Sequence, residues 1–214
     1  MYHTAHKTKM THAKVKPSIE HLRVMGIGGS IAEGDGATNK YGYLQMTFDH
    51  FHDTYFNKAI YGANGTQLGT MYKADYPSWL RQINPQVVVI SWGLLNDVVP
   101  DVSISQFNSY IQSEIQQALA KKAIVMIVTP PVTEFAYGSY GTKENEYDLE
   151  EVHYVKSLED TNVYVFDLFT QMKAYIQHHN LNIKALSYDE HHPNNQGYQV
   201  ASNLLVNDIS KVFR

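Results

Sequence analysis

The chain has 214 residues, 43% of them hydrophobic, which is enough to bury a sizeable core within a single domain. It contains no cysteine, so disulfides, thiolate metal sites and a cysteine nucleophile are excluded. A net charge of −4 gives no electrostatic basis for binding nucleic acid, and no run approaches the roughly 18 apolar residues that span a bilayer.

The chain starts with a basic stretch. Lys7, Lys9, Lys14 and Lys16 fall in residues 1–19 with three histidines and no acid, and residues 1–20 read as a flexible extension. Both a plain tail and a tether to a separate membrane segment fit this composition, and the stretch lacks the apolar core of a signal peptide. The compartment stays open between cytoplasm and export with the targeting segment outside this chain. The oligomeric state stays open too. Three irregularly spaced histidines do not make a metal site, and no metal or cofactor is expected.

Beyond residue 20, short apolar runs alternate with longer amphipathic ones, the pattern of a layered α/β domain. Strands are predicted at Leu22 to Ile27, at about 58–61, at Val87 to Trp92, at Ile124 to Val128 and at Val163 to Phe166. Val87-Val88-Val89-Ile90 is a β-branched run suited to burial on both faces. Helices are predicted at Ser103 to Lys121, with Ser103 as cap, then at Glu144 to Leu158, Leu168 to His178 and Asn195 to Phe213. Five strands with intervening helices imply a three-layer α/β/α sandwich around a five-stranded parallel sheet, flavodoxin-like in class.

In such sheets, ligands bind beyond the carboxyl ends of the strands. Four polar features fall on that edge: Ser30 after the first strand, Gly62 to Gly65 after the second, Asn96 after the third, and Asp189 to Asn194 before the last helix. Asp189 precedes His192 by three residues, close enough for the carboxylate to take the imidazole N–H and fix its tautomer. A base so oriented calls for a nucleophile, and Ser30, at the end of Gly26-Ile27-Gly28-Gly29, is the candidate. Each feature alone also fits an ordinary turn or helix cap. Asp167, after the fifth strand, is a competing carboxylate that lacks a neighbouring histidine.

The order Gly28-Gly29-Ser30, Gly62-Ala63-Asn64-Gly65, Gly93-Leu94-Leu95-Asn96-Asp97 and Asp189 to Asn194 followed by Gly197-Tyr198 resembles the SGNH hydrolases, or GDSL-type esterases. The similarity runs over about residues 22–213. It implies Ser30 as nucleophile, His192 as general base and then acid, and Asp189 as the residue orienting His192. It further implies an oxyanion hole made from the Ser30 N–H, the Gly65 N–H and the Asn96 side-chain amide. Two positions depart from the family pattern. Gly29 stands where the family has aspartate, and Gly93 lies three residues before Asn96 rather than two.

The resemblance makes the chain a metal-free serine esterase acting through an acyl-enzyme. The expected substrates are short-chain acyl esters, including O-acetyl groups on carbohydrate. Tyr137 and Tyr140, in an aromatic stretch from Thr133 to Tyr147, are expected to line the substrate site, with His191 at its rim. Three alternatives stay open: a catalytically silent carbohydrate-binding or cell-surface module, a lysophospholipase or thioesterase-type acylhydrolase, and an unrelated flavodoxin-like binding domain.

Overall fold

The computed structural model describes residues 18–63, 65, 75–92, 102–139, 153–154, 156–158 and 162–213. Five strands, β1 (Arg23–Gly28), β2 (Thr54–Asn57), β3 (Val87–Ser91), β4 (Ile124–Val128) and β5 (Val163–Phe166), form one parallel sheet in the order β2-β1-β3-β4-β5. Chain direction across the sheet reverses beside β1, so the crevice at the carboxyl ends of β1 and β3 is the natural ligand site.

Alternate residues of the strands feed two cores. Val24, Val87, Val89, Met126 and Val128 face helices α2 (Tyr43–His50), α5 (Leu168–His178) and α6 (Asn195–Val212), packing on Phe48, Met172 and Leu205. Met25, Ile27, Val88, Ile90 and Val125 face the other way, onto Tyr76 and Leu80 of α3 (Asp75–Ile83) and Phe107 and Ile111 of α4 (Ile104–Ala120). A helical layer on each face leaves no solvated side for β3, whose five residues are all buried. This is the α/β/α sandwich expected from the residue pattern. Ile19 already belongs to the first core, ahead of β1.

Helix α4 starts where its sequence says it should. Ser103 accepts from the Gln106 backbone N–H while the Gln106 side chain accepts from the Ser103 N–H, a reciprocal capping box. The second strand is a correction: it occupies Thr54–Asn57, not residues 58–61. It pairs with Arg23–Gly26 at the sheet edge, so only half its surface is covered and Thr-Tyr-Phe-Asn shows no continuous apolar run. Hydrogen bonds from Lys58 N to Gly26 O and Ile60 N to Gly28 O then guide the chain along β1 toward Ala63 and Gly65. Most of the helix predicted from Glu144 to Leu158 lies outside the described residues.

Candidate active site

Strand β1 ends at Gly28, and the chain turns at once into the short helix α1 (Ser30–Glu33). Ser30, its first residue, is buried, and at that position no helical carbonyl precedes its N–H to accept it. Gly34 ends α1 in the left-handed region, and the Asp35 N–H returns to the Ser30 carbonyl. At Gly36 (φ +87°) a Cβ would lie 2.5 Å from the Pro193 carbonyl, so only glycine lets this turn press against the loop that carries His192.

That second loop is fixed by its own sequence. Ser187 and Pro193 form an antiparallel bridge, and the Tyr188 N–H bonds the His192 carbonyl. Asn194 holds both sides: its Oδ1 caps α6 by accepting from Gln196 and Gly197, while its Nδ2 donates to the Ala185 and Ser187 carbonyls. Tyr198, one turn into α6, sends its hydroxyl to the Asp35 carbonyl at 2.6 Å and stacks on Tyr43, whose hydroxyl meets Ser91 at the end of β3. The two loops are thereby tied to each other and to the sheet.

They bring Ser30 and His192 together across 162 residues of sequence, with Ser30 Oγ 2.9 Å from His192 Nε2. On the other side of the ring, His192 Nδ1 lies 2.9 and 3.0 Å from the two carboxylate oxygens of Asp189. An ionised carboxylate only accepts, so Nδ1 is the protonated nitrogen and Nε2 is left to accept the Ser30 O–H. Asp189 Oδ1 also accepts the His191 and His192 backbone N–H groups, each at 2.8 Å. Partial burial pulls the Asp189 carboxyl upward, but the His192 ring and these N–H donors outweigh it and hold its pKa below the ordinary carboxylate value. His192 is buried and the Asp189 side chain is 46% exposed, so the ring is screened from water more fully than its partner.

A second carboxylate sits on the Nε2 side: Asp35 Oδ2 is 3.7 Å from His192 Nε2. The Tyr61 ring, 63% exposed, stacks over His192 with centroids 6.1 Å apart.

Gly65 is buried against α4; a Cβ there would meet the Tyr110 ring at 2.0 Å. Asn96 and Tyr140 lie outside the described residues. Tyr137 is partly buried and packs against the first hydrophobic core. His191 gives its N–H to Asp189 and turns its ring edge-on to Phe135. Asp167 caps α5 through the Thr170 N–H and pairs with Lys156, which occupies both of its oxygens away from His192. Sequence reasoning missed Asp35, Tyr61 and Tyr188. A signal for Asp35 was present in Gly34-Asp35-Gly36, where two flanking glycines mark a chain forced to fold back beside Ser30.

Residues 27–200 match the GDSL-like Lipase/Acylhydrolase family. Among solved structures, Axe2, an acetylxylan esterase from Geobacillus stearothermophilus, aligns with TM-score 0.70 at 18% identity, over 92% of this chain and 99% of that one. Catalytic mutants of that enzyme, with alanine replacing a serine, an aspartate or a histidine, align equally well. A putative lipolytic protein of the G-D-S-L family from Desulfitobacterium hafniense DCB-2 aligns with TM-score 0.67 at 19% identity, over 87% of this chain and 99% of that one. No curated protein sequence matches the chain.

Proposed function

Because this chain belongs to the GDSL-like lipase/acylhydrolase family and is a carboxylic ester hydrolase, we propose that Ser30, His192 and Asp189 are its catalytic residues and that it removes short acyl groups, O-acetyl on carbohydrate above all. The observation that carries the reading is the unbroken line of contacts from Ser30 Oγ through His192 to Asp189, at 2.9 Å on either side of the ring.

In this reading His192 Nε2 takes the Ser30 proton as Oγ attacks the ester carbonyl carbon. A hydroxyl is a poor nucleophile until a base removes its proton, and the 2.9 Å contact lies within proton-transfer reach. Charge that develops on the carbonyl oxygen is met by the Ser30 N–H at the start of α1 and by the Gly65 N–H, with Asn96 as third donor. Asp189 stabilises the imidazolium and keeps Nδ1 protonated. The imidazolium then gives its proton to the departing alkoxide, which leaves as the alcohol. Water repeats the sequence on the acyl-enzyme, returning the acid and the free serine. Gly29, in place of the family's aspartate, removes none of these steps.

The preference for a sugar alcohol is supported by what surrounds His192. Tyr61 offers an exposed ring beside it, and polar side chains line the adjoining surface. Axe2, which shares the fold, is an acetylxylan esterase.

The test uses a serine-directed fluorophosphonate and p-nitrophenyl acetate. The wild-type protein should be labelled at Ser30 and should hydrolyse the ester, and Ser30→Ala and His192→Ala should lose both. Labelling or hydrolysis that survives both substitutions would reject the assigned site.

A further inference from the structure

The polar side of the active centre has a feature the hydrolytic mechanism does not use. Asp35 is partly exposed, and its Oδ2 stands 3.7 Å from the nitrogen that must hand a proton to the departing alcohol. The turn that holds it is rigidly supported. Its N–H bonds the Ser30 carbonyl, its own carbonyl accepts the Tyr198 hydroxyl, and Gly34 and Gly36 on either side have positive φ. From Asp35 an open groove runs outward between Thr38, Tyr188, Asn195 and Gln196. Tyr188 is 70% exposed, so its ring is free to lie against a ligand in that groove.

We propose that Asp35 is a specificity-determining residue which accepts a hydrogen bond from a free hydroxyl next to the ester oxygen, and so selects partly acylated polyols and sugars. This rests on the serine-esterase reading above. The argument is geometric. During acyl transfer the Ser30 Oγ–acyl carbon bond forms, the bond from acyl carbon to alcohol oxygen breaks, and the His192 Nε2 proton moves to that oxygen. The leaving oxygen must therefore come within hydrogen-bond distance of Nε2. An acceptor 3.7 Å from Nε2 is within reach of a hydroxyl on the carbon adjacent to the one bearing the ester. Oxygens on neighbouring carbons of a pyranose ring are separated by about one hydrogen-bond length, so a vicinal hydroxyl meets Asp35 Oδ2. An alkyl or acyl group at that place would displace water from the carboxylate without replacing its hydrogen bond, which is the costly arrangement. Tyr188 and the amides of Asn195 and Gln196 line the path that the rest of the sugar would follow.

The experiment compares two esters: a methyl pyranoside with one acetyl group between two free hydroxyls, and the same compound with both hydroxyls methylated. The quantity read is the ratio of their kcat/KM values. Wild type should prefer the free diol by about 10-fold or more, since a site built to bond a hydroxyl rejects the analogue lacking it. Asp35→Ala should bring the ratio close to one. The isosteric Asp35→Asn, which keeps the turn but loses the charge, should lower it by about 3-fold or more, charged hydrogen bonds being roughly twice as strong as neutral ones. Were Asp35 only a prop for the loop or for His192, both esters would slow together and the ratio would stay at its wild-type value in both variants, which overturns the proposal. Ser30→Ala, run alongside, keeps the two readings separate. Hydrolysis that disappears with Ser30 while the ratio ignores Asp35 defeats only the Asp35 inference, and hydrolysis that persists without Ser30 defeats the esterase mechanism and this proposal with it.

Discussion

Replacing Asp189 with asparagine tests the proposed division of labour around His192. In the structure, Asp189 Oδ1 collects the His191 N–H, the His192 N–H and the ring Nδ1, and Oδ2 is 3.0 Å from the same Nδ1. An asparagine that keeps its carbonyl on the two backbone donors must put its NH₂ group at the Oδ2 position. That donor favours an unprotonated Nδ1 against the retained carbonyl 2.9 Å away, so the ring is no longer held in the tautomer that accepts the Ser30 hydroxyl. The side chain keeps its shape and both of its hydrogen bonds from backbone N–H groups, so the fold should persist with a melting temperature within a few degrees of wild type. Loss of the correct tautomer in triads of this type costs about 10⁴ in kcat, equivalent to about 5 kcal/mol of transition-state stabilisation. The assay is kcat/KM on p-nitrophenyl acetate across pH, with thermal unfolding recorded on the same preparations. An Asp189→Asn enzyme within about 3-fold of wild type would refute the reasoning, because the ring would then need no carboxylate to hold its tautomer.

Three further outcomes follow from the geometry. Gly65→Ala must push a methyl into the Tyr110 ring or shift the loop, and displacing this proposed oxyanion donor should lower kcat by about 100-fold or more in steady-state assays. Asp53 is buried, and burial pushes its carboxyl up to about 6, opposed in part by the Leu22 N–H at 2.7 Å. The folded state thus holds this proton more tightly than the unfolded chain. The resulting stability is complete below the unfolded value of 3.8 and is lost as pH rises through about 6, a swing of about 2–3 kcal/mol. Asp53→Asn should therefore stabilise the protein to chemical denaturation at neutral pH and give no gain at about pH 4. Asn194→Ala removes the α6 cap together with the hydrogen bonds to Ala185 and Ser187. It should cost about 2 kcal/mol of stability, and its kcat should fall in assays run well below its melting temperature.

How far the sequence could be read depended on whether a signal was local. The β-branched run at Val87 to Ile90 and the helix cap at Ser103 are each decided by their immediate neighbours, and both were legible. The same holds for Asp189 and His192, whose contact spans three residues. Strand β2 was misplaced because an edge strand half in solvent carries little apolar periodicity, and its register comes from pairing with β1. Tyr137, expected to line the substrate site because it follows β4, is partly buried and packs against the first core. Asp35, Tyr61 and Tyr188 gain their positions from three segments far apart in the chain, and no local pattern encodes that meeting. The paired glycines around Asp35 announced a sharp turn but not what the turn would face.

Asn194 also ties the proposed site to the formation of α6. The amide that opens α6 is the same one that clamps the preceding loop, so His192 reaches its working position only as the final helix forms. In the proposed mechanism Ser30 therefore has its base only when this loop and α6 are docked together. Fraying of the first turn of α6 would release the loop that carries His192 while leaving the strand pairing of the sheet intact.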